Sequence, residues 1–273
     1  MRTTDVIDEL KQLPMRPSAV TQVLSVLDDP GASAKDVATA LGTDPALCAR
    51  LLHLANSPYF GLSGKVGNIE RAVVALGAST VRSLAVSTAA GMFGAASEMP
   101  DGFWRHSVSV AAGASIAARF AHVPPGDALC AGLLHDLGSA LLFRLDTDND
   151  QARLARHLPT ADFMADESEA YGGDHAMIGA FALDAWKLPS DIVHAIRSHH
   201  ADPTTVEDRL AKVVIAGEAL AQGSAHDLHR HEPACDPEAA FTALGLTAVA
   251  LDNLVQRTAE EAEALDAVLS AVR

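Results

Sequence analysis

The sequence predicts an all-α protein. Three observations carry that reading: Ala, Leu and Val dominate the 49% of the chain that is apolar, aromatics make up only 4%, and no segment alternates apolar with polar residues as a half-buried strand would. At 273 residues the chain is long enough to bury a sizeable core. Residues 1–12 mix charge and apolar side chains as a surface helix does, and Pro17 suits a first helical turn. Ser33 with Asp36 three places on reads as a cap, and Asp44 followed by Pro45 as a cap with a first-turn proline. Gly42 and Gly77 stand where helices should stop. Asn56, Ser57 and Pro58 end the helix that carries Leu47, Leu51, Leu52 and Leu54, with the Asn56 and Ser57 side chains hydrogen-bonding the turn.

Five or six short helices therefore fill the first hundred residues. Longer ones follow over roughly 103–121, 127–145, 174–187, 189–200 and 206–222, joined by turns bearing Pro and Gly. A hydrophilic stretch, 226–238, separates a last pair of helices with Leu251, Leu254, Val255, Leu265, Val268 and Leu269 on one stripe.

Charge and cysteine content exclude several function classes. Twenty Lys and Arg against thirty-five Asp and Glu give a formal charge of −15, which opposes general binding to nucleic acid or to an anionic membrane. No apolar run reads as a membrane span and the N-terminus does not read as a secretory leader, so a cytoplasmic protein is expected. Cys48, Cys130 and Cys235 are odd in number and far apart, so neither a disulfide framework nor a thiolate zinc site is indicated. His226, His229, His231 and Cys235 are metal-capable, but they lie in a polar segment with no apolar flanks to fix a geometry, and a solvated loop is the better reading.

The polar residues of interest sit in the apolar middle helices: His106, His135, Asp136, His175, His199 and His200. Neutral imidazole and carboxylate suit Fe, Mn, Zn or Ni, and helices packed side by side can aim ligands from distant positions at one point. The alternative for each histidine alone is a hydrogen bond to a backbone carbonyl or a helix-end charge interaction. The adjacent His135–Asp136 pair inside an apolar segment favours an assembled site.

The segments LPMRPSAVTQVL from Leu13, TDPALCARLLHLANSPYFG from Thr43, IERAVVALGASTVRSLAV from Ile69, FWRHS from Phe103, AGLLHDLG from Ala131 and YGGDHAMIGAFALDAWKLPSDIVHAIRSHH from Tyr171 resemble the HDOD domain, a helical bacterial signalling module, over roughly Leu13 to Pro203. The resemblance implies a two-lobed multi-helix fold: an N-terminal helical lobe (1–98), an HD-like core lobe (99–203) related to the HD-GYP phosphodiesterases, and further helices (204–273) packing on the core. It implies an output or scaffolding role, most such domains being thought to have lost catalytic metals. This chain is not a plain case of loss. Against the HD-GYP metal pattern, His106, His135, Asp136, His175, His199 and His200 all match. The lysine expected three residues after the aspartate is Ser139, and the later aspartate falls on Gly217, with Glu218 beside it but about 100° round the helix. Ala201, Asp202 and Pro203 replace the GYP tripeptide.

Two divalent ions would bring four positive charges against one negative charge from Asp136, so a single ion held by three or four imidazoles with Asp136 is favoured over two. Two readings follow. The preferred one is a signal-transduction protein that acts by binding a protein partner or a nucleotide second messenger, with a retained metal site and no assigned catalytic residue. The alternative is a metal-dependent phosphohydrolase acting on a nucleotide or cyclic dinucleotide, with Asp136 central to it; Ser139 and Gly217 lean against hydrolysis. The last two helices read as packing on the bundle ahead of a docking or homodimer surface.

Overall fold

The computed structural model describes residues 18–57, 60, 65–89, 102–154, 156, 159–186, 188–222, 235–246 and 251–270. Residues 1–12, Pro17, Pro58, Lys187 and the histidines at 226, 229 and 231 lie outside them. The described chain is helical with connecting turns and contains no strand. Four helices come first: α1 (Ser18–Leu27), α2 (Ala34–Leu41), α3 (Pro45–Ala55) and α4 (Ile69–Ala89). Their boundaries follow local chemistry. Ser33 and Asp36 form a reciprocal capping box at α2. The Asp44 carboxylate accepts from the Leu47 amide at 3.0 Å, with Pro45 at the first position of α3. At Gly77 (φ 79°, ψ 162°) α4 breaks and resumes, which only a residue lacking Cβ does without strain. Asn56 and Ser57 bond the turn as expected: Asn56 Nδ2 donates to the Leu52 and Val66 carbonyls, and Ser57 Oγ to that of Leu54.

The second series is α5 (Phe103–Ala121), α6 (Pro125–Leu134), α7 (Leu137–Leu145), α8 (Thr147–Leu154), α9 (Thr160–Tyr171), α10 (His175–Ala185), α11 (Ser190–Arg197), α12 (Arg209–Gln222) and α13 (Pro237–Ala243), followed by α14 (Leu251–Ser270). The structure corrects the sequence reading in three places. The expected helix over 127–145 is two helices, interrupted at His135 and Asp136. Helices α8 and α9 are additional; their acidic composition hides the apolar stripe Phe163, Glu167, Tyr171, spaced four residues apart and buried. The segment Pro125–Leu145 does have the length and composition of a membrane span, but 89% of its most apolar 18-residue window is buried inside the protein. Its apolar character belongs to the core.

The described helices group into two units. One contains α1–α4 with the C-terminal end of α14, and the other contains α5–α13 with the N-terminal part of α14. In the first, Arg50 is buried and its Nε donates to the Leu269 carbonyl near the end of α14, while Arg82 pairs with Asp28 at 2.7 Å. The second holds an Ala-rich core in which helices approach closely. A Cβ on Gly217 of α12 would lie 2.5 Å from the Ala114 nitrogen of α5, and one on Gly138 of α7 would overlap the His175 carbonyl of α10. These glycines let four helices meet backbone to backbone, and the polar cluster lies at those crossings. Cys48, Cys130 and Cys235 are not joined in disulfides.

Candidate metal centre

The break between α6 and α7 explains the polar pair in an apolar segment. His135 ends α6, Asp136 adopts a non-helical φ/ψ (−97°, 17°), and the Asp136 carboxylate does not cap its own helix. It turns inward instead. His106 comes from the first turn of α5, and His175 opens α10 behind the Asp174 cap, whose carboxylate accepts from the Met177 amide at 2.8 Å. His199 and His200 lie in the turn just after α11, because that helix ends at Arg197 and not at residue 200 as the sequence led one to expect.

The structure brings all six sequence-derived residues together. His106 Nε2 and His135 Nε2 are 3.0 Å apart, and His175 Nε2 and His200 Nε2 are 2.8 Å apart. The Asp136 carboxylate lies between the groups: Oδ2 is 3.7 Å from His106 Nε2 and 3.8 Å from His135 Nε2, while Oδ1 is 3.4 Å from His175 Nε2 and 4.0 Å from His199 Nε2. The donor atoms of His106, His135 and Asp136 fall within 4.8 Å of one another, as do those of His175, His199 and His200.

The outer nitrogens fix the rings. His135 Nδ1 donates to the Gly132 carbonyl at 2.8 Å and His199 Nδ1 to the Ile196 carbonyl at 2.6 Å. A carbonyl only accepts, so Nδ1 carries the proton and Nε2 presents its lone pair to the interior. The carbonyl-bonded alternative weighed for these histidines is therefore real, and it aims them instead of dispersing them. His175 is held differently. One oxygen of buried Glu167 accepts from both the His175 amide (2.9 Å) and Nδ1 (2.6 Å). Burial opposes the charge of His175, but Glu167, then Asp136 and Asp174, outweigh it and raise its pKa to about 9. Burial pushes His199 well below the usual histidine range, with His135 and His175 adding to the shift.

These residues fit a divalent transition metal. Bonds of about 2.1 Å at right angles put two nitrogens about 3 Å apart, which is the separation of both close Nε2 pairs. His199 Nε2 is fully buried with no hydrogen-bond partner, which a purely structural packing role leaves unexplained.

Two carboxylates escaped the sequence reading. Position 217 cannot supply a ligand, because any side chain there meets the backbone of Ala114. Its neighbour Glu218 is 3% exposed, with Oε2 4.0 Å from His200 Nδ1. The 100° separation that set Glu218 aside is what turns it away from α5 and toward the histidines. Glu167 had a signal that was available: a glutamate on an apolar i, i+4, i+8 stripe. Ser139 is buried, its hydroxyl 3.4 Å from Asp136 Oδ1. Cys235 has its thiol pKa pushed up to about 11 by burial, with Asp236, Glu218 and Asp202 adding to the shift. It joins none of the metal-capable groups among the described residues.

Residues 13–202 match the HDOD domain. This chain belongs to the HDOD family. Its fold recurs in solved structures: a protein of Shewanella amazonensis SB2B carrying the provisional name phosphohydrolase (26% identity, TM-score 0.70, 97% of each chain covered), and an HDOD domain protein with unknown function from Geobacter sulfurreducens (24%, 0.64, 98% of each). A curated relative, an uncharacterized protein of Treponema pallidum (strain Nichols), is 25% identical over 215 residues, 74% of this HDOD chain. The chain spans 40% of that relative's length.

Proposed function

We propose that this HDOD chain is a cytoplasmic regulatory protein of a bacterial signalling pathway, which works by binding a protein partner and keeps its histidine cluster as a buried divalent-metal centre. Closure of the centre carries this reading. His135, Asp136, His175 and His199 are 0% exposed, His106 is 2% and Glu218 is 3%; His200 is partly exposed as a residue, but its side chain is 3% exposed. Catalytic sites keep an open position for water and substrate, whereas closed shells hold structure. His106, His135 and Asp136 would hold the ion on one side, and His175, His199 and His200 on the other, with Glu218 at the His200 end. The second carboxylate removes much of the charge argument against a second ion. Ser139 brings no positive charge to a transferring phosphoryl group.

The alternative, a phosphohydrolase acting on a nucleotide or cyclic dinucleotide, is favoured by the completeness of the donor set and by the provisional name of the Shewanella relative. A bound metal there would supply an activated water at neutral pH. One experiment separates the two: metal analysis of the purified protein, then incubation with a panel of phosphoesters, including nucleotides and cyclic dinucleotides. The regulatory reading expects at least one metal per chain and no turnover. Turnover that disappears in His135→Ala would put the hydrolase in its place.

A further inference from the structure

A second built feature lies in the unit that contains α1–α4, where α4 begins. A cavity of about 570 Å3 is lined, among the described residues, by the aliphatic Val66, Val74 and Ala75 and the charged Lys65, Arg71 and Glu70. Its wall is fixed from two directions. Asn56 pairs both faces of its amide with the Val66 backbone, Nδ2 donating to the carbonyl at 2.8 Å and Oδ1 accepting from the amide at 2.9 Å. Asn68 Oδ1 accepts from the Arg71 amide at 2.8 Å and so caps α4. Val66 and Arg71 are thus each held at the backbone by an asparagine side chain, and neither asparagine belongs to the donor set described above.

The corner also runs against the protein's overall charge. A chain with a formal charge of −15 puts two cations and one acid here, and neither Lys65 nor Arg71 enters an ion pair among the described residues. Val74, one turn beyond Arg71, is 71% exposed, far above any other large apolar side chain among the described residues. Among the described residues no aromatic ring lines the cavity, so this part of its wall offers nothing for a nucleobase to stack on. Exposed aliphatic surface rimmed by charged side chains, with the two cations outnumbering Glu70, is the pattern of a protein-docking site.

We propose that this corner docks an acidic protein segment with an aliphatic anchor, its carboxylates facing Lys65 and Arg71 and its apolar side chain seated on Val74 and Ala75. The inference gives a surface to the binding role proposed above. Its test leaves the metal centre intact, so the two can fail separately.

The test is fluorescence anisotropy of the full chain with a fluorescein-labelled 16-residue amphipathic helix carrying leucines at every third and fourth position and glutamates between, beside a control with lysines for glutamates. The acidic peptide should bind despite the repulsive net charge, and more weakly at high salt. Lys65→Glu with Arg71→Glu, and separately Val74→Ser, should each weaken it at least tenfold with circular dichroism and metal content unchanged. The lysine peptide should lose nothing in these variants. Equal binding of the acidic peptide to the native chain and the variants, or none to either, would overturn the proposal. So would displacement of the peptide by GMP or a cyclic dinucleotide, which would make the corner a small-ligand site. A native dimer lost in the variants by light scattering would assign it to a second copy of the chain instead.

Discussion

Glu167 spends one oxygen on two donors of the same residue, the amide and the ring of His175, and thereby fixes both the start of α10 and the direction of Nε2. Removing an oriented carboxylate behind a ligating histidine costs about 10- to 100-fold in metal affinity. Glu167→Gln should show that loss in competition with a chromophoric chelator while the far-ultraviolet circular dichroism is retained. The two shifted histidines also set opposite pH dependences in the metal-stripped protein. His175 is raised from 6.5 to about 9, so its contribution is complete below pH 6.5 and fades as pH rises through about 9. His199 is lowered, so its contribution is present above pH 6.5 and is lost as pH falls below it. These two groups should make the Tm of the stripped protein peak near pH 6.5. Glu167→Gln should flatten the alkaline limb, and an unchanged limb would remove the His175–Glu167 pair as its cause.

At the scale of the helices, the centre depends on crossings that admit no side chain. Gly217→Asp restores a carboxylate to the position the family resemblance assigned, yet its Cβ would sit within 2.8 Å of the Ala114 backbone and Cβ. Overpacking of this kind costs about 3 kcal/mol, readable as a lower urea midpoint. Glu218→Gln, one residue on, should leave the metal-free protein within about 1 kcal/mol of native and lower only metal affinity. Helices α8 and α9 are joined through Arg153, which is buried, contacts Asp150 and Asp166, donates to the Tyr171 hydroxyl at 2.9 Å, and stacks over that ring. Arg153→Met should cost roughly 2 kcal/mol and also loosen metal binding, because the helix it anchors carries Glu167.

For the whole molecule, a ligand bound only by the folded state stabilises it in proportion to the logarithm of its excess, by about 4 kcal/mol at a thousand times Kd. Dialysis against a chelator should therefore lower the Tm by about 10 °C, and stoichiometric Zn or Mn should restore it. An unchanged Tm would mean that the histidines pack without an ion. Failure of metal binding would leave the acidic-peptide experiment standing, since Lys65, Arg71 and Val74 lie in the other unit.

Local sequence was enough for whatever depends on neighbours within a turn of helix. It set the all-α class, the caps at Ser33 and Asp44, the stop at Gly77, the turn-binding role of Asn56, and the residue types that make His106, His135, Asp136, His175, His199 and His200 a coherent donor set. Capping and apolar periodicity act over three or four residues, so they are written locally. Tertiary structure alone decided that these side chains face one another, that Glu167 and Glu218 join them, and that Gly217 cannot. Those outcomes depend on the rotation of each helix about its axis, which is set by where backbones can approach at Gly138, Gly113 and Gly217. No window of sequence contains both sides of such a contact.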